Sequence, residues 1–287
     1  MLYLKSFELP DKDTEENVLM FDNRTYINGI YPYNIFPNKE LKVINFAPIT
    51  IFYGGNGSGK STILNIIAES IGASRNNPFA KGERFDSYLR LCKYEMTNNI
   101  PYEIKAISSE DIFDYLLNVR RINHGLYNRR SEVTKEYVSS KYRPARDIKD
   151  YQEMVDAVDA RKMTMSKFVR SRIIAKDIQE QSNGESALMY FSSYITDNGL
   201  FILDEPENSM SASMQLKLAR FIEDSARFFG SQFIIATHSP FLLSIKDAVI
   251  YDLDSTPCVT KRWTELENMQ VYYEFFKNNK SDFEKNM

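Results

Sequence analysis

Cysteine is scarce, and the two that occur, Cys92 and Cys258, lie far apart with no metal-ligand spacing around either. A disulfide framework and a zinc site are thereby excluded, and both thiols are expected to be reduced and in the core. No apolar run approaches the ~18 residues of a spanning helix, so no membrane partner is expected. The opening stretch, Met1 to Leu9, alternates like a strand and runs into the acidic Asp11 to Glu16, without the blocks of an export signal. The expectation is a cytoplasmic protein. Internal repeats and low-complexity segments are missing too, and glutamine is absent before Gln152.

What the chain does have is apolar residue for a substantial core, 43% of 287. Net charge is only −3, but Leu116 to Lys176 carries 15 Lys and Arg against 7 Asp and Glu, which leaves 21 against 32 elsewhere. There Arg120, Arg121, Arg129, Arg130, Lys141, Arg143 and Arg146 interleave with Tyr127, Tyr137 and Tyr142. Such a segment either contacts nucleic acid or presents a solvated helical face laced with salt bridges.

One stretch carries specific chemistry. Gly54, Gly55, Asn56, Gly57, Ser58, Gly59, Lys60, Ser61 and Thr62 complete the pattern G-x-x-x-x-G-K-[ST]. The apolar run Ile49 to Tyr53 before it reads as a buried strand, and Ile63 to Ala68 after it reads as a helix. That is the context of a P-loop. Glycines let the backbone wrap phosphates and turn its N–H groups inward. Lys60 then meets the β and γ phosphates of a triphosphate, Ser61 offers a hydroxyl to Mg²⁺, and the helix adds its positive end.

A second constellation lies downstream. Leu200 to Leu203 is an apolar strand that ends in Asp204 and Glu205, placing an acid for Mg²⁺ beside one that faces the attacking water. Upstream of it, Ser182 with Glu185 three residues on forms a capping box that opens the helix from Ala187 to Phe191. Downstream, Phe233 to Thr237 is an apolar strand that ends at His238, a side chain able to donate and accept at the γ-phosphate. Strands are also expected at Leu2–Leu9, Leu41–Asn45 and Pro101–Ile107, and charged helix over Asp111–Asp177.

The order of these features resembles the ABC-type ATPases, from the P-loop to the end of the sheet. Gln181 to Glu185 looks like a degenerate form of their L-S-G-G-Q signature, Phe201 to Pro206 like their Walker B strand, Asn208 to Ser211 like their D-loop, and Thr237-His238 like their switch histidine. The Asp-Glu-Pro-Glu-Asn-Ser wording is closer to the soluble branch, similar to SMC, RecF and OLD-type heads. The resemblance implies an α/β P-loop NTPase with an ABC-type head: a mostly parallel sheet, N-terminal antiparallel strands and an inserted helical lobe. Residues 1–110 and 181–287 would form the core and 111–180 the lobe.

It further implies an ATP hydrolase with Lys60, Glu205 and His238 catalytic, Ser61 and Asp204 on Mg²⁺, and a head-to-tail homodimer. In that dimer Ser182, Asn183, Gly184 and Glu185 would reach the partner's ATP, and a separate effector protein would be controlled. A nucleic-acid clamp built on residues 116–176 is the second reading, and a transporter's nucleotide-binding subunit a third. The chain departs from the family where a Q-loop glutamine is usual: the strand runs into Ser108, Ser109, Glu110 and Asp111 instead, with Ser109 or Glu110 as the expected replacement. Tyr26, Tyr31, Tyr33 and Phe36 are the aromatic candidates for adenine.

Overall fold

The computed structural model describes residues 1–21, 29–79, 81–142, 151–172 and 183–284. In chain order the strands are β1 (Leu4–Glu8), β2 (Val43–Asn45), β3 (Ile49–Tyr53), β4 (Lys93–Met96), β5 (Ile104–Ser108), β6 (Leu200–Asp204), β7 (Gln232–Ala236), β8 (Val249–Asp252) and β9 (Val259–Thr260). The helices are α1 (Lys12–Phe21), α2 (Lys60–Ser70), α3 (Phe85–Leu89), α4 (Ser109–Tyr142), α5 (Tyr151–Lys162), α6 (Met165–Arg172), α7 (Asn183–Tyr194), α8 (Ala212–Phe228), α9 (Pro240–Leu243), α10 (Glu267–Asn278) and α11 (Lys280–Glu284). They fall into two units, Met1–Ile112 with Asn183–Met287, and Phe113–Ser182.

In the first unit the large sheet has the order β5-β6-β7-β3-β8-β9. Its strands run parallel except for β9, which pairs antiparallel with β8. The central strands β3 and β7 are buried at every position, which is why they read as unbroken apolar runs: parallel strands are covered on both faces. Phe52, Ile202, Ile234 and Ala236 turn to one face and meet Ile63, Ile66 and Ile67 of α2 in the main core. Phe201 and Phe233 are register partners with rings stacked at 5.6 Å.

The N-terminal strands make a separate antiparallel sheet of order β2-β1-β4. Phe7 and Leu4 turn from β1 into the same core. Gln232, at the start of β7 and fully buried, joins the two sheets with its side-chain amide. Its Oε1 accepts from the N–H groups of Tyr3 (2.7 Å) and Leu4 (2.9 Å), and its Nε2 donates to the Leu4 carbonyl at 2.9 Å. A buried amide pays for desolvation only when its atoms find partners, as these do.

The elements that escaped the sequence reading include α1 and β4. The acidic stretch after β1 forms α1, started by Asp11, whose Oδ1 accepts from Thr14 N at 3.1 Å. Within α1, Glu15 is fully buried and accepts from Asn34 N at 2.6 Å. The edge strand β4 was likewise unread.

The second unit is helical. Val133, Tyr137, Ala160 and Phe168 form its small core. Arg129 pairs with Glu132 (3.1 Å) and Glu136 (3.9 Å), and Arg172 pairs with Asp156 and Glu136. Of the aromatics among its basic residues, Tyr137 is packed against Phe168, whereas Tyr127 and Tyr142 are exposed. Arg143 and Arg146 lie outside the described residues.

Candidate functional site

The candidate site is assembled at the carboxyl ends of three neighbouring strands, β6, β7 and β3. From Tyr53 at the end of β3 the chain turns through Gly54 to Gly59 into α2. Gly59 stands at φ +96°, where a side chain is strained, and a Cβ there would come 3.2 Å from Ile35 Cγ2. At Gly54 a Cβ would lie 2.4 Å from Ser58 Oγ and 3.1 Å from Asp254 Oδ1. The loop therefore closes only with glycine at both positions.

Lys60 opens α2 and is buried, 6% exposed. Its ammonium donates to the carbonyls of Gly54 (2.8 Å) and Gly55 (3.0 Å) and stands 3.7 Å from Glu205 Oε1. On the next strand but one, Asp204 ends β6. Burial pushes its carboxyl up to about 6, with the Ser61 hydroxyl opposing that shift and the Glu205 charge adding to it. Asp204 Oδ1 is buried with no hydrogen-bond partner. An orphaned carboxylate oxygen beside a hydroxyl suits a hard cation. Among the described residues no cluster of three or more His, Cys, Asp or Glu could hold an ion. Ser61 and Asp204 would thus hold Mg²⁺ jointly with phosphate oxygens, the usual way that ion is bound.

Glu205 sits at φ +46°, a left-handed backbone uncommon outside glycine. Its N–H donates to the Ala236 carbonyl of β7 at 2.9 Å, which fixes the turn. Its carboxylate, 26% exposed, accepts from Asn208 Nδ2 at 3.2 Å and lies 3.6 Å from His238 Nδ1. His238, half exposed, follows β7 and donates its backbone N–H to Glu207 Oε1 at 3.2 Å. Glu207 is 4% exposed and also accepts from Thr237 Oγ1. Burial pushes the Glu207 carboxyl up; the Thr237 hydroxyl and the charge of His238 pull the other way.

The structure thus gathers Lys60, Ser61, Asp204, Glu205 and His238. The signature segment is only partly in view. Ser182 lies outside the described residues, Asn183 and Gly184 start α7, and Glu185 is exposed in its first turn. Of the adenine candidates, Tyr33 and Phe36 are core residues, 2% and 0% exposed, because α3 and the P-loop pack on them. Tyr26 lies outside the described residues, and Tyr31 donates to Thr62 Oγ1 at 3.3 Å.

Three acids at the site had no role in the sequence reading. Asp254, beyond β8, accepts from the Gly55 N–H at 2.8 Å. Glu207 holds the strand end that carries His238. Where Ser109 or Glu110 was expected to stand for the glutamine, it is Asp111 that is buried: its Oδ2 accepts from Ser108 N and Oγ, and Ser108 is in register with Asp204. For Asp111 the signal was present, an acid three residues past a strand end with a serine at that end.

Comparison with known proteins bears on this arrangement. Residues 125–244 match the AAA_21 family model, described as "AAA domain, putative AbiEii toxin, Type IV TA system". The lipoprotein-releasing system ATP-binding protein LolD of Buchnera aphidicola is 24% identical over 237 residues, 81% of this chain and 92% of LolD. What the described residues show is an α/β fold whose large sheet is mostly parallel, with the glycine-rich loop motif between β3 and α2. Solved structures similar to this chain include the Smc head domain of Pyrococcus furiosus bound to the C-terminal domain of ScpA, 15% identical, covering 96% of this chain and all of that one, with a TM-score of 0.40. The ATP-binding cassette MJ0796, a dimer bound to ADP and Pi, is 16% identical, covering 93% and 100%, with a TM-score of 0.39. No described helix of this chain is long and apolar enough to cross a membrane.

Proposed function

We propose that the chain hydrolyses ATP and acts as an ATP-gated head-to-tail dimer that controls a separate effector. The observation that carries this reading is the meeting of Lys60, Glu205 and His238 within 4 Å contacts at one sheet edge, with Ser61 facing Asp204. Backbone N–H groups of Gly57 to Thr62 receive the phosphates, and Lys60 moves from its carbonyl partners to the β and γ oxygens. Ser61 and Asp204 would hold Mg²⁺, which would supply charge neutralisation at the phosphates. Glu205 takes the proton of the attacking water, and His238 donates to the γ-phosphate as charge builds.

The half-open face at His238 supports a composite site closed by a second copy through the start of α7. Closure would then depend on one phosphate and reverse when it leaves. The family description, which names a toxin of a type IV system, supports a setting in which the ATPase works with another chain, such as defence. The test is the solution mass of Glu205→Gln with and without Mg-ATP, by light scattering. An ATP-dependent step from monomer to dimer is expected. A mass that ignores ATP while nucleotide still binds would sink the dimer and leave the ATPase.

A further inference from the structure

A cleft of about 550 Å³ opens beside His238. Trp263, Tyr272, Tyr273 and Phe276 line it, from α10 and the turn before it, and Glu207 and His238 form part of its wall. The four aromatics are 40%, 46%, 62% and 54% exposed, an uncommon density of apolar surface on one short element. Among the cleft's polar lining residues, Gln215, His238, Ser239 and Glu207, only Glu207 is an acid. Its Oε1 is committed to Thr237 and to the His238 N–H, and the residue's own backbone N–H also faces the carboxylate, whereas Oε2 is buried and makes no side-chain hydrogen bond among the described residues. A buried carboxylate oxygen with no side-chain donor is costly, and one charge-assisted donor would relieve it.

The walls select which donor. Aromatic faces attract cations, and the delocalised, weakly hydrated guanidinium stacks on rings while giving N–H groups to a carboxylate. The cluster already draws one cation of its own, since Lys277 Nζ lies 5.7 Å over the Tyr273 ring. We infer that this cleft receives an arginine side chain of a protein partner, with the guanidinium on Glu207 and its stem against Tyr272, Tyr273 and Trp263. Glu207 also fixes the strand end that bears His238, so the arginine reaches the hydrolytic site through a single carboxylate. Its effect on turnover rests on the ATPase reading above; occupancy of the cleft does not.

Trp263 is the chain's one tryptophan, so its emission reads the cleft directly. The probe is acetyl-Phe-Arg-amide, titrated into the full chain without nucleotide, against acetyl-Phe-citrulline-amide, which keeps the shape and loses the charge. Saturable change with arginine, and at least about tenfold weaker response with citrulline, is expected, the scale of one lost charge-assisted bond. Glu207→Gln should erase the difference between the two peptides. Tyr273→Ala, at an exposed ring away from the phosphate site, should weaken arginine binding with basal ATP turnover unchanged. No saturable change, or equal binding of both peptides in the unaltered chain, overturns the inference. It is equally overturned if Tyr273→Ala leaves binding intact, or if it changes the mass of the chain alone, which would make the cleft a self-contact. Failure of ATP to bind would count against the ATPase reading and leave these titrations standing.

Discussion

The Asp254 carboxylate accepts a hydrogen bond from the backbone N–H of Gly55 at 2.8 Å, so an acid just beyond the neighbouring strand β8 holds the front of the phosphate loop. The tether has its own support: Leu253 N–H donates to the Tyr53 carbonyl at 2.8 Å, and Asp254 N–H to Asp252 Oδ1 at 3.0 Å. Replacing Asp254 by Ala frees Gly55 and should raise KM for ATP about tenfold with kcat little changed, the cost of roughly one charge-assisted hydrogen bond. Asp254→Asn keeps an acceptor and should restore most of the affinity. If the Asn variant is as weak as the Ala variant, the charge rather than the bond matters.

Lys60→Ala removes the one buried cation of the loop and should abolish ATP binding, as read by isothermal calorimetry. Unchanged affinity would remove the phosphates from this loop. The variant should remain folded, because Ile63, Leu64, Ile66 and Ile67 of α2 are buried independently of Lys60.

Glu205→Gln preserves shape and the turn at φ +46°, so binding should persist. Turnover should fall by about 10²–10⁴-fold, the usual scale for a lost general base. Wild-type turnover in this variant would assign the water to another group.

Asp204 links pH to both stability and activity. Its carboxyl, at about 6 in the folded chain, lies above its value of 3.8 when unburied, so the folded chain holds this proton more tightly. The stabilisation is full below about pH 4 and is lost as pH rises through about 6. At pH 8 Asp204→Asn should therefore raise the unfolding temperature, by a stability of order 1–3 kcal/mol, and at pH 4 it should not. The same variant should lose Mg²⁺-dependent hydrolysis. In the parent chain the Mg²⁺ requirement should steepen as pH falls below about 6, since protons then compete for the carboxylate. A Tm gain equal at both pH values would show packing rather than ionisation at work.

The parts legible in sequence were those whose signal is local. Gly54 to Thr62 is contiguous, and β3, β6 and β7 announce themselves as apolar runs because both their faces are covered. The charged helix expected from Asp111 is present in α4, where Ile112, Leu116 and Val119 are buried and Tyr115 is half-buried. What was missed depends on distant partners. The strand β4, Lys-Tyr-Glu-Met, is mostly exposed at a sheet edge and carries no apolar period. Asp254 is one acid among many until β8 is laid beside β3. Glu207 was part of a recognised wording, but its hold on Thr237 spans 30 residues of sequence and needs β6 and β7 side by side. The basic stretch was legible as charge, and part of that charge is spent on Glu132, Glu136 and Asp156 within its own unit.

Gln232 gives the chain's beginning a mechanical tie to its switch. The amides of Tyr3 and Leu4 are held by that one side chain at the base of β7, six residues before His238. Whatever displaces β7 along its axis must either drag the N-terminal sheet with it or break both bonds at once. Deuterium uptake at the third and fourth amides therefore reports the loosening of the histidine's strand, from a place that touches no nucleotide.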